Sequence, residues 1–416
     1  MRMVMRSVVF AACTAWAAAP AQEPANDHNA RGVEFYEAKR WAESIAEFET
    51  AMKAAPDNKT IRRNMANALQ SYANDLAKGR DMQGAMDLLN DAANIDPGNV
   101  QPFVQLGAYY LQEGLVADAV FRLEEAIEIE PKNVDAHFLL GEAYYKDNDP
   151  RSALVHWEWV KKSEPSREGV DERIEKATRE ANVESDFSES GSEHFNIAFD
   201  RVSAGQEVRL VLQTLENAYR NAGRDLGEVY PPTPIQVSLY SSEGFSQVTQ
   251  MGEHVGGLYD GNKIRVPVID NAGERVSSED LKRRLEHEFV HVIVRYSAKD
   301  NAPWWFNEGL AEVMSRDLAP EDVAYLKTAY KEGLLFTLPE LSEGQLDKLE
   351  PDSLRLAYAQ SLATMTVLKA KGGIRGLAAM LGRLADGEVP EEALRGAFRL
   401  KYSTLELEVK NYIARQ

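Results

Sequence analysis

Two hydrophobic periods divide this chain, and they change places near residue 190. From about Ala25 to Pro165, small and apolar residues recur at helical spacing inside a longer repeat. Gly107 and Gly141, Tyr110 and Tyr144, Ala119 and Ala153, and Pro131 and Pro165 are each 34 residues apart. Within one such unit, Phe103, Leu106, Gly107 and Tyr110 mark a first helix and Ala119, Leu123 and Ala126 a second, which Pro131 stops. An earlier copy runs through Gly32, Phe35, Phe48, Ala51 and Pro56. Another ends with Ala85, Leu89, Ala92 and Pro97; its first half is enlarged, because Pro56 and Pro97 are 41 apart. Small residues let paired helices approach closely. The pattern predicts four helix pairs and a following helix, about Arg167 to Val183, stacked as one superhelical solenoid.

Residues 184–193, rich in serine, glutamate and glycine, read as a linker, after which the period shortens to two. Phe195, Ile197 and Phe199 alternate with polar or small residues and predict a strand. Glu207 to Leu226 is an amphipathic helix with Val208, Leu212, Leu215 and Tyr219 on one side. Further strands are expected at Ile235 to Tyr240 and at Lys263 to Ile269. Pro267 cannot donate to a ladder, which puts the latter strand at a sheet edge. Ser277 and Ser278 can cap a helix whose buried face is Leu281, Leu285, Phe289, Val292 and Ile293. Pro303 starts the next helix, and the chain stays helical to its end, including Pro320 to Glu332 and Leu354 to Lys371. The fold expected is mostly α: an α-solenoid over 25–183, then an α+β domain over 194–416 with a small mixed sheet.

Composition narrows the functions open to such a chain. The 416 residues are 44% hydrophobic, enough for more than one core. A net charge of -19 argues against nucleic acid or an anionic membrane as the main partner, since both demand basic surface. Cys13 is the single cysteine, so neither an intramolecular disulfide nor a cysteine metal cluster can form. At the N-terminus, Arg2 and Arg6 precede a small apolar stretch from Ser7 to Ala19, and Ala19-Pro20-Ala21 fits a signal-peptidase site. Residues 1–21 therefore read as an export signal, and the mature chain as periplasmic or otherwise exported. A lipoprotein signal ending at Cys13 is the alternative, disfavoured by Phe10 three places before the cysteine. No later run of 18 apolar residues predicts a membrane span.

The candidate chemistry lies in His287-Glu288-Phe289-Val290-His291 and, shortly after, Trp304-Trp305-Phe306-Asn307-Glu308-Gly309-Leu310-Ala311-Glu312. Residues four apart share a helix face, so both imidazoles can reach one metal ion, with Glu288 beside its open position. The following helix supplies a carboxylate. Two histidines, a third protein ligand and a water make the open tetrahedral arrangement of a catalytic zinc (Zn2+). His137 and His156, inside the repeats, carry no partner spacing and read as packing or surface residues.

These motifs resemble the gluzincin metallopeptidases, most closely the peptidase-MA-like domains, in which H-E-x-x-H is followed by a glutamate ligand in an N-E-G-x-A context. The 34-residue units are similar to tetratricopeptide repeats. By that resemblance His287, His291 and Glu308 are the zinc ligands, Glu288 the general base, and Glu312 the carboxylate that orients a ligand histidine; the rival assignment exchanges Glu308 and Glu312. Ala357-Tyr358-Ala359-Gln360-Ser361 is similar to a recurring element of those domains and makes Tyr358 the candidate oxyanion donor. Related peptidases hold an extended substrate on an edge strand, which assigns peptide binding to Gly257, Leu258 and Tyr259 within the stretch Gly256 to Val266. His254, just before this stretch, reads as an ordinary loop histidine, with contact to substrate as the alternative. The G-x-M-E-N element of the aminopeptidase branch is absent, and sixteen residues separate His291 from Glu308, slightly fewer than in that branch. An endopeptidase acting on a peptide or protein is the more natural expectation, with a protein partner recruited in the repeat groove. The alternative is a repeat scaffold or chaperone of the cell envelope with a vestigial zinc domain.

Overall fold

The computed structural model describes residues 24–251, 256–299, 301–342 and 349–416; residues 1–21, expected to be an export signal, with Cys13, and His254 lie outside the described residues. The chain divides into two compact units: the described residues up to Glu113 with Asp118–Leu139, and Gly114–Ala117 with Leu140–Gln416.

The first unit is built from α1 (Ala25–Glu37), α2 (Trp41–Ala54), α3 (Lys59–Lys78), α4 (Met82–Ile95), α5 (Gln101–Gln112), α6 (Val116–Ile129) and the start of α7 (Val134–Lys146). Its helix pairs are keyed by a small residue facing a large one sixteen positions later. A β-carbon on Gly32 would stand 2.6 Å from the Phe48 ring, and one on Gly107 would stand 2.4 Å from Leu123. Ala73, fully buried, takes the same place opposite Leu89 in the longer α3. Asn58 and Asp81 cap α3 and α4 by accepting backbone N–H groups.

The second unit repeats that key where Gly141 meets Trp157: a β-carbon would lie 2.3 Å from the indole nitrogen. After α8 (Pro150–Ser163) and α9 (Val170–Val183) comes a five-stranded sheet: β1 (Ser188–Gly191), β2 (Phe195–Phe199), β3 (Ile235–Tyr240), β4 (Leu258–Tyr259) and β5 (Lys263–Pro267). The spatial order is β1-β2-β3-β5-β4, with β2, β3 and β5 parallel and antiparallel strands at both edges. Between the strands run α10 (Arg201–Ala204), α11 (Val208–Asp225) and α12 (Ser242–Thr249). Behind them follow α13 (Ser278–Ala298), α14 (Trp304–Ser315), α15 (Pro320–Glu332), α16 (Pro351–Ala385, broken at Gly373, where φ is 63°), α17 (Pro390–Phe398) and α18 (Tyr402–Arg415). No helix among the described residues is long and apolar enough to cross a membrane.

Two expectations need correcting. Part of the expected linker, Ser188–Gly191, is a strand, pairing with β2 from Ser188↔Phe199 to Gly191↔Asn196. Its Ser-Glu-Ser-Gly sequence offers no apolar alternation because neither of its faces is buried, so periodicity gave no sign of it. Second, β5 is not an edge strand: β4 covers it, pairing Leu258 with Arg265 and Tyr259 with Ile264. The missing N–H of Pro267 is tolerated because β4 pairs only as far as Arg265. The edge lies one strand further out, at Leu258 and Tyr259.

The central strands β3 and β5 are buried on both faces, by different chemistry. Phe195, Ile197, Val237, Leu239, Ile264 and Val266 join α11, α13 and α14 in one apolar core, each buried side chain worth about 1.5–3 kcal/mol. On the other face, Lys263 and Arg265 of β5 are fully buried and meet Glu180 of α9 at 2.9 and 2.6 Å. Arg265 also holds Asp260, at 2.6 Å, and Tyr145 donates to Glu180. Burial opposes the charge on Glu180 and Asp260, but the adjoining cations outweigh it and hold both carboxyls below their ordinary range.

Candidate metal centre and its cleft

Helix α13 starts at Ser277, whose hydroxyl accepts the Asp280 N–H at 3.1 Å. Its apolar stripe of Leu281, Leu285, Phe289, Val292 and Ile293 is sunk in the core, which leaves His287 and His291 facing α14. Helix α14 is anchored by Trp305 and Phe306, both fully buried. At Gly309 it presses on α16 so closely that a β-carbon would sit 2.7 Å from the Ser361 carbonyl oxygen. That contact explains the glycine after Glu308: a larger residue would push the carboxylate away from the histidines.

Three side-chain atoms converge. His287 Nε2 and His291 Nε2 are 3.1 Å apart, and Glu308 Oε2 lies 3.6 Å from the first and 3.4 Å from the second. Tetrahedral ligands at about 2.0–2.1 Å from a zinc ion stand about 3.3–3.4 Å from one another, so this spacing fits such an ion. The outward nitrogens fit it too. His291 Nδ1 donates to Asn307 Oδ1 at 3.0 Å, and His287 Nδ1 lies 3.5 Å from Glu312 Oε1. With a proton on each Nδ1, the two Nε2 atoms are the ones a metal ion would take, in place of the proton that His291 otherwise holds. Glu312 in turn accepts from Arg316, which also binds Asp322. Glu308 is thus the carboxylate among the Nε2 atoms, and Glu312 the one behind His287.

Electrostatics agree with the geometry. Burial works against a charge on His291, yet Glu308 beside it prevails and lifts its pKa to about 9. Glu308 is correspondingly held well below the carboxylate range by the histidines, against its own burial. Glu288 is pushed up, first by burial and then by Glu308, although both histidines and the Tyr259 N–H oppose the shift.

The centre opens into a cleft of about 1080 Å³. Gly257, Leu258 and Tyr259 line one wall, and the Tyr259 N–H donates to Glu288. A β-carbon on Gly257 would lie 2.7 Å from Glu288 Oε1. Tyr358 also lines the cleft, with its ring edge-on to Trp304, centroids 5.1 Å apart. Burial and then Glu308 push its phenol far above the ordinary tyrosine value, so it stays a proton donor. All nine residues singled out from the sequence border this one cleft.

Two contributors went unassigned at the sequence level. Asn307 stood inside the quoted N-E-G context, which was the available signal; Arg316 carried none. A second grouping, Glu193, His194 and Glu216, lies outside the cleft. There Glu216 accepts from His194 Nδ1 at 2.8 Å, from its backbone N–H at 3.0 Å and from Ser192 at 2.6 Å, so it clamps α11 to the segment before β2.

Comparison with known proteins agrees with both halves. Residues 229–415 match the family model of the Peptidase MA superfamily, and residues 110–148 match that of the TPR repeat. No curated protein matches. Among solved structures, MamA from AMB-1 is similar at 19% identity over 38% of this chain and 82% of its own, with a TM-score of 0.30. TTC0263, a thermophilic TPR protein in Thermus thermophilus, is 18% identical over 37% of this chain and 98% of its own, with a TM-score of 0.23. The P58(IPK) TPR domain is 12% identical over 93% of this chain and 80% of its own, with a TM-score of 0.29. By the two family models, the chain carries a Peptidase MA superfamily domain in its C-terminal half, preceded by a tetratricopeptide repeat.

Proposed function

We propose that the protein is an exported, zinc-dependent metallopeptidase, an endopeptidase whose repeats (25–183) recruit a protein substrate or partner to the catalytic domain (194–416). The observation that carries this reading is the convergence of His287, His291 and Glu308 at zinc-ligand spacing, with Glu288 between them and an edge strand. Export, to the periplasm or beyond, rests on the signal pattern of residues 1–21.

A zinc ion in this site would supply Lewis acidity and a water acidified toward neutral pH. The protein's own groups do the rest. Glu288, its pKa raised by burial, is suited to take a proton from the attacking water and pass it to the leaving amine. Tyr358, held as a donor, is positioned to hydrogen-bond the oxygen on which charge develops. The β4 edge lies beside Glu288 and can hold an extended peptide by backbone hydrogen bonds, leaving sequence preference to the side chains of the cleft. Asn307 and Glu312 fix the ring orientation of the two histidines.

The test is cleavage of a mixed peptide library by the mature, zinc-loaded protein beside Glu288→Gln. Internal cleavage by the wild type alone supports the endopeptidase. Zinc binding without cleavage by either protein would favour the scaffold reading.

A further inference from the structure

Strand β4 supplies two of the contacts that set Glu288. The Tyr259 N–H donates to its carboxylate, and a β-carbon on Gly257 would lie 2.7 Å from its Oε1. Yet the strand has little ladder of its own to rest on. It lies at the sheet edge and pairs with β5 through Leu258 and Tyr259 alone. So short an edge opens locally at small cost. A proton-transferring group tolerates little of that, since a misplacement of about 1 Å costs about a hundredfold in rate. The strand has to be fixed from elsewhere.

The turn that follows it is where the fixing occurs. Asp260 Oδ1 accepts the backbone N–H groups of Asn262 and Lys263, at 3.1 and 3.2 Å, and closes the turn into β5. Gly261, at φ 87°, supplies its left-handed step. Asp260 Oδ2 is gripped by cations from two elements, Lys176 of α9 at 2.5 Å and Arg265 of β5 at 2.6 Å. The same turn reaches the end of α7. There Asn262 Nδ2 donates to the Tyr145 carbonyl oxygen at 3.0 Å, and Lys263 Nζ to Asn148 Oδ1 at 2.5 Å. Tyr145, Asn148 and Lys176 all belong to the same compact unit as the sheet.

Apolar packing could join α9 to the sheet as firmly, because buried ion pairs recover little more than their desolvation cost. What charged hydrogen bonds add is direction, and with it position. We propose that Asp260 is a positioning residue for Glu288: seated on Lys176 and Arg265, it holds β4 against that carboxylate, which makes α9 and the end of α7 part of the catalytic machinery. The contacts run from Lys176 to Asp260, along one peptide unit to Tyr259, and from its N–H to Glu288. Among the described residues, those lining the cleft include Asp260 but not Lys176, so a change at Lys176 reaches the reaction only through this chain. The role given to Glu288 rests on the peptidase reading; the anchoring of β4 rests on the contacts alone.

Two measurements on the zinc-loaded full chain test it, both with substitutions of Lys176, which is 39% exposed and can be replaced without opening the core. The first is turnover of an internally quenched peptide. Lys176→Arg should keep kcat within about twofold, Lys176→Met should lower it about five- to tenfold, and Lys176→Glu, which repels Asp260, about tenfold further, with KM within about twofold throughout. The second is hydrogen exchange of the Tyr259 amide without substrate. It should quicken about tenfold in Lys176→Met and more in Lys176→Glu, while β2 and β3 keep their protection. Lys161→Gln, which breaks the 2.6 Å pair with Asp171 between α8 and α9, should change neither quantity. Unaltered kcat and amide protection in the Met and Glu variants would overturn the inference and leave the peptidase intact. Exchange that quickens equally in β2, β3 and β4 would mean a general loss of stability and overturn it too. Quickened exchange at Tyr259 with no cleavage by the wild type would overturn the peptidase reading and leave the anchoring of β4 standing.

Discussion

Gly257 and Glu288 are in contact across the cleft, with room at the glycine for hydrogen but not for a methyl group: a β-carbon would sit 2.7 Å from the carboxylate oxygen. The edge strand therefore sets where the proposed general base can lie. Gly257→Ala should displace that carboxylate and cut kcat by about 10–100-fold, since misplacing a reacting group by an ångström costs about that much. Zinc content should remain one per chain. Loss of metal together with activity would mean that the substitution acts on the ligands instead.

Asn307 and Glu312 hold the outward nitrogens of His291 and His287. Removing such a partner weakens metal affinity about 10–100-fold. Asn307→Ala and Glu312→Gln should each show that loss in competition against a chelator, with helix content by circular dichroism unchanged. Unaltered affinity in both would mean that the histidine orientation is fixed by packing alone.

Without metal, His291 is lifted to about 9, so at neutral pH the histidine is protonated and zinc must displace that proton. Zinc affinity should accordingly rise about tenfold per pH unit between about pH 6 and 8. Calorimetric titration in buffers of different ionisation enthalpy would count the proton released; a pH-independent affinity would contradict the coupling.

The buried cluster of Glu180, Lys263, Arg265 and Asp260 joins α9 to the sheet. Both carboxyls have folded pKa values depressed below their unfolded values of about 4. Their contribution to stability is therefore present above about pH 4 and is lost as pH falls through the folded values. Glu180→Gln should destabilise the protein at pH 7 by about 3–5 kcal/mol, because it leaves buried cations undercompensated. It should also flatten the acid limb of Tm against pH. An unchanged acid limb would show that other carboxyls govern acid unfolding.

How far all this could be read beforehand depended on whether the signal was local. The 34-residue repeat was legible because each helix pair packs on itself, Gly107 on Leu123 and Gly141 on Trp157, so the constraint lies within sixteen residues. The convergence of the candidate metal ligands was legible because His287 and His291 share one helical turn. The sheet edge was not: a proline suggested it at β5, whereas a two-residue strand, too short to show a period, covers that side. Strand β1 stayed hidden because it buries neither face. Lys263 and Arg265 alternate with Ile264 and Val266, as a strand with one solvated face would, yet their face is buried beneath α9. Their partner Glu180 lies some 80 residues earlier, and no local pattern links the two.

The most direct test of the account is turnover by the zinc-loaded mature protein and by Glu288→Gln on one internally quenched peptide. The account predicts equal zinc stoichiometry in the two proteins, internal cleavage by the wild type, and a loss of at least a thousandfold in kcat for the variant. Equal cleavage by both, or none by the zinc-loaded wild type on any peptide, would contradict it.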